Sequence, residues 1–259
     1  MNTRDGKHFG KGCSEELVLL GAVKIIAVPD AQKELLQGIR EAEHWYCFGR
    51  HRTTFRGAVH TVAFWSSPVW SLALLFQATS MEMCIHAGLS LAAKAFLFAA
   101  SSKYHTHPWR SIKEERLGAR LDFLAIHFMI AFSLSPMYSL GLGTLRSGLI
   151  LVLAGIISLA GAQYSFGTSK VLRTALYIVQ GALAAAPLVV ATLNSFELLC
   201  MLVAGMGYLV GSACYAFEFP TPSRRHWGHV ECWHLLVLVS ASGTYAANYS
   251  VLRRHISYL

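Results

Sequence analysis

A chain of 259 residues that is 54% hydrophobic and only 14% charged, with a mean hydropathy of +0.44, has a membrane composition. Soluble domains carry about 25% charged residues. The length accommodates roughly seven spans of about 20 residues and a short leading segment, so no second soluble domain is expected to fit. The formal charge of +8 is dispersed over short loops between apolar runs. It points to a basic membrane-facing surface and excludes nucleic acid as a partner.

Residues 1 to about 55 are polar and are expected outside the bilayer. Asp30 can cap a helix running to about Trp45, with Ala31, Leu35, Leu36, Ile39 and Ala42 on one stripe. Such a helix suits the membrane surface, with Lys33 and Arg40 toward head groups, and equally suits ordinary packing. The opening Met-Asn-Thr-Arg-Asp-Gly-Lys-His and the interruption at Lys24 do not match a cleavable signal peptide. The first span is therefore expected to act as the targeting signal. The six cysteines (Cys13, Cys47, Cys84, Cys200, Cys214 and Cys232) form no Cys-x-x-Cys pair, so neither a disulfide framework nor a zinc finger is indicated.

Seven apolar runs follow, near 57–79, 84–103, 121–142, 147–166, 171–192, 195–217 and 230–252, each bounded by charge, Gly, Pro or Asn. Backbone groups in hydrocarbon must be satisfied within the segment, and period-2 alternation is absent, so the runs are helices and not barrel strands. The fold class is an all-α integral membrane protein, a seven-transmembrane helix bundle occupying residues 56–259 behind a 1–55 cytosolic segment. Basic residues gather in the leading segment (Arg40, Arg50, Arg52, Arg56) and after the second run (Arg110, Lys113, Arg116, Arg120). They recur after the fourth run (Lys170, Arg173) and the sixth (Arg224, Arg225), whereas the opposite loops hold only Arg146, Arg253 and Arg254. The N-terminus is expected in the cytosol and the C-terminus on the exoplasmic side. Plasma membrane and endomembranes fit equally.

That topology puts His105, Asp122 and His234 at one depth near the cytosolic boundary. Ser101 and His105, four apart, share a helix face. Singly, each residue reads as an interfacial histidine or a capping carboxylate; together, ionisable groups inside spans point to function. Imidazoles with a carboxylate suit zinc with an open position for water. Lys94, mid-span and seven residues before Ser101, is expected to face the bundle interior. His127 reads as a hydrogen-bonded core histidine, or as a second cavity residue. The tryptophans Trp65, Trp70, Trp109, Trp227 and Trp233 read mostly as interfacial anchors.

The pattern Ser101-x-x-x-His105, then Arg120-Leu121-Asp122, then Ser135-Pro136, resembles the progestin and adiponectin receptor family and its haemolysin III branch. Tyr215, Phe219-Pro220, Gly228 and Glu231-Cys232-Trp233-His234-Leu235-Leu236-Val237 agree with it, so the resemblance covers roughly 50 to 252. The wider superfamily includes alkaline ceramidases. The resemblance implies a zinc ion near the cytosolic face, held by three histidines, with an Asp and a Ser beside its water. By position, His105 and His234 correspond to ligands, Asp122 to the water-orienting carboxylate and Ser101 to the serine. Val230 stands where the family has the first His of His-x-x-x-His. His229 is about 140° around a helix from His234 and could serve only from an unwound start. Glu231, three residues before His234, could supply an oxygen ligand. The implied function is a zinc-dependent hydrolase of lipid amides, with a sphingolipid or another membrane lipid as substrate. The alternatives are a receptor-like or regulatory membrane protein, or a membrane-lytic haemolysin, with a degenerate metal site.

Overall fold

The structure, a computed structural model, describes residues 52–109, 111–190 and 193–256. The helix expected near 30–45 lies outside them. Among the described residues eight α-helices follow one another: α1 Ala58–Leu75, α2 Met81–Thr106, α3 Ile112–Phe132, α4 Ser135–Leu142, α5 Thr144–Ser165, α6 Lys170–Ala185, α7 Ser195–Phe217 and α8 His229–Ile256. With α3 and α4 counted as one broken span, seven helical segments among the described residues are long and apolar enough to cross a membrane. The protein is an all-α, multi-pass integral membrane protein. Its outward faces are apolar, as Leu149, Val152, Leu153, Ile156 and Leu159 along α5 show, while Ser90, Lys94 and Asn248 are buried inside.

Local chemistry explains the helix starts. Ser80, Ser111 and Ser169 each accept the backbone N–H three residues on, and Asn194 forms a reciprocal capping box with Glu197. Ser111 therefore starts the third span at Ile112, earlier than the 121 expected from hydropathy. Asp122 does not cap this helix; it sits about three turns inside.

The third span breaks at Ser133–Leu134 because Pro136 has no N–H to continue the ladder. The Met137 N–H turns to the Leu134 carbonyl, so the Ser133 carbonyl has no helical donor and accepts instead from Ser90 Oγ at 3.0 Å and from Asn248 Nδ2 at 2.7 Å. Side chains of α2 and α8 thus replace the missing bond, as lipid requires. Lys94 donates to Ser90 Oγ at 2.9 Å in the same network. His127 is a core histidine: it bonds Gln180 and, at 2.8 Å, Ser165, joining α3 to α6 and α5.

The helices α7 and α8 pack face to face through glycines. A Cβ on Gly211 would stand 2.9 Å from the Trp233 ring, and one on Gly243 would stand 2.8 Å from the Cys200 carbonyl oxygen. Small residues give this close approach. Trp233, expected at the interface, is instead buried against Tyr215 and belongs to the core.

Candidate functional site

One end of the bundle gathers the polar residues. His60 lies in the first turn of α1, Ser101 and His105 in the last turns of α2, Asp122 inside α3, and His234 in the second turn of α8. All five are at least 93% buried. The His105 Nε2 lies 3.9 Å from Asp122 Oδ2. The His105 and His234 rings are 4.7 Å apart, and His60 stacks on His234 at 4.1 Å with 26° between the planes. Ser101, on α2, is buried and lines the same cavity wall as Asp122. Sequence reasoning therefore placed Ser101, His105, Asp122 and His234 in one neighbourhood, which the structure assembles from α2, α3 and α8.

His60 went unnoticed, although it is a histidine just inside the first apolar run and at the same end as the others. Gly57 makes its position possible. Its φ of +80° turns the chain into α1, and a Cβ there would lie 2.8 Å from Thr106 Cγ2 and 3.1 Å from His105 Cβ. The start of α1 can thus lie directly against the end of α2.

Glu231 is redirected by the geometry. Its fully buried carboxylate accepts from Arg56 Nε at 2.6 Å, Thr53 Oγ1 at 2.6 Å and the Gly228 N–H at 2.6 Å. With both oxygens occupied, it ties the segment before α1 to the start of α8 and does not turn toward His234. His229 is the first residue of a regular α8, not part of an unwound turn, and it does not join the ring stack. Val230 is buried one turn before His234 and adds only an apolar wall.

The cluster forms one wall of a cavity of about 1110 Å³. Toward the bundle end the lining is cationic, with Arg56, Arg116, Lys170 and Arg173. Deeper, it is apolar, with Ile126, Met129, Leu134, Ile178, Met201 and Ala204.

Residues 48–245 match the sequence model of the haemolysin-III related family. The chain belongs to the haemolysin-III related family. No curated protein matches the chain. The three imidazoles and the carboxylate are zinc-type donors, with His60 as the third imidazole of the cluster. Four buried atoms of the cluster, His60 Nδ1 and Nε2, His234 Nδ1 and Asp122 Oδ1, lack a partner at hydrogen-bond distance among the described residues. Leaving such atoms unsatisfied costs about 1–3 kcal/mol each, which a bound cation or water would offset. The donor set therefore fits zinc in kind. The face-to-face packing of His60 and His234 keeps their nitrogens from converging, and among the described residues no group of three or more His, Cys, Asp or Glu has ligating geometry. In this member of the haemolysin III family a three-ligand metal site is thus not preformed among the described residues.

Proposed function

We propose that this haemolysin III family protein is a hydrolase of lipid amides, with His60, His105 and His234 holding zinc beside Asp122. The observation that carries this reading is the buried set of unpartnered nitrogen and oxygen atoms on the wall of a cavity whose floor is apolar. When bound, zinc polarises a carbonyl and acidifies water. The protein's own residues do the rest. The apolar floor takes the acyl chain and fixes the amide at the depth of the cluster. Asp122, through its free Oδ1, takes a proton from the attacking water as the water oxygen bonds to the carbonyl carbon. The C–N bond then breaks, and the same proton leaves on the amine. Ser101, on the same cavity wall, holds the carboxyl in place. The basic end of the bundle faces the cytosol on this reading, and the C-terminus is exoplasmic.

A non-catalytic, receptor-like or regulatory role is the second reading, favoured by the stacked His60–His234 pair and by Val230. The test is hydrolysis of a labelled ceramide by purified protein, with and without added zinc. Zinc-dependent release of fatty acid that Asp122→Asn lowers by at least about a hundredfold supports the hydrolase, since general-base catalysis contributes on that order. Stoichiometric zinc without turnover on any lipid amide supports the receptor-like reading.

A further inference from the structure

Not all the cations at the cavity mouth are engaged alike. Arg56 is held by Glu231, and Lys170 by Glu218. Among the described residues Arg116 and Arg173 have no carboxylate at ion-pair distance, and the Arg116 guanidinium makes no hydrogen bond, ion pair or ring contact. Arg173 lies over the Phe123 ring at 4.1 Å and donates to the Tyr215 hydroxyl at 3.4 Å and the Thr168 carbonyl at 3.1 Å, while its Nε is buried without a partner. Both line the cavity from facing helices, α3 and α6.

Position on α3 shows what they would read. Arg116, Ala119, Phe123, Ile126, Ile130 and Ser133 recur at three- and four-residue spacing and all line the cavity. The stripe passes from a guanidinium, through the depth of Asp122, to apolar floor. Arg116 stands six residues before Asp122, or about 9 Å along the helix. An occupant matching that gradient has an anionic group at the mouth, its polar linkage beside the cluster and a single apolar chain below. Two guanidinium cations approaching from different helices suit a group with three terminal oxygens and about two negative charges, which can accept from both at once; a single carboxylate is satisfied by one. Membrane-facing loop arginines need neither cavity exposure nor a buried, unpartnered Nε.

We infer that the cavity binds a single-chain lipid bearing a phosphate, with Arg116 and Arg173 holding the phosphate at its mouth. The binding stands independently of catalysis; that such lipids are also the hydrolysed class rests on the hydrolase reading. The experiment measures displacement of a fluorescent alkyl phosphate, and thermal unfolding, of the full chain in neutral detergent. Hexadecyl phosphate, hexadecanol and inorganic phosphate are the probes. Hexadecyl phosphate should bind and raise the unfolding temperature, and its affinity should fall as salt rises. Hexadecanol and inorganic phosphate should do neither at the same concentration.

Arg116→Gln and Arg173→Gln should each weaken hexadecyl phosphate about tenfold, as expected for loss of one charge-assisted contact. Lys113→Gln, outside the cavity, should not. Arg116→Gln breaks no hydrogen bond or ion pair among the described residues, so a loss of binding beside an unchanged unfolding temperature reads the phosphate contact itself. The same binding in His234→Ala would separate this site from the metal reading, because it needs neither zinc nor turnover. Equal binding of hexadecanol, an equal effect of inorganic phosphate, or unchanged affinity in Arg116→Gln would each overturn the inference.

Discussion

At the residue scale the site depends on contacts that local spacing does not encode. Glu231 and His234 are three apart on one helix, which suggested a shared ligand face. The partners that decide the matter, Thr53 and Arg56, lie some 175 residues away in sequence. Glu231→Gln leaves the Arg56 guanidinium without its anion, and breaking a buried pair costs about 3 kcal/mol. The expected result is a clear fall in unfolding temperature with no direct loss of a metal ligand. Val230→His adds an imidazole one turn before His234 and should raise zinc affinity. If His60 already completes the set, the gain in occupancy will be small. Comparing metal content of Val230→His with that of Val230→His/His60→Ala separates these cases: the double variant should retain zinc that His60→Ala alone loses. Lys94 has a single hydroxyl partner among the described residues and no acid at ion-pair distance. A mid-span lysine costs about 3 kcal/mol, so Lys94→Met should preserve or raise thermal stability. A marked loss would mean that the amine has an essential partner.

At the element scale hydropathy located each span, because length and apolar content are local properties. It failed where a polar helical segment precedes the apolar run. Residues 112–120 contain Lys113, Glu114, Glu115, Arg116 and Arg120, so they read as loop, yet the Ser111 cap makes them helix. That extension moves Asp122 from a capping position to a buried one and is why the carboxylate belongs to the site. Ser101-x-x-x-His105 was legible because one turn of helix sets it. The entry of α1 was not, since Gly57 matters only through its approach to Thr106 and His105. Gly57→Ala meets both an unfavourable φ and a close contact and should cost about 1–3 kcal/mol. Because the strain falls between His60 and His105, metal affinity should drop together with the unfolding temperature. A destabilised variant with natural metal affinity would show that the start of α1 does not position His60.

At the scale of the whole molecule, the basic end, the buried cluster and the mouth of the cavity coincide. Charge in the loops made that end visible in the sequence; the cavity was not visible, because it is what seven helices leave open between them. If the basic end is cytosolic, cysteine-accessibility labelling of tags at the two ends should find the N-terminus protected in intact cells and the C-terminus reactive. Both ends on one side would contradict seven spans. The central claim is that three histidines from α1, α2 and α8 hold one zinc. Its most direct test is the metal content of the purified full-length protein and of His60→Ala, each measured by mass spectrometry before and after chelator. The account predicts close to one zinc per chain in the natural protein, removable by chelator, and a severe loss in His60→Ala. Natural protein without zinc after purification in zinc-supplemented buffer, or His60→Ala retaining the full amount, would contradict it.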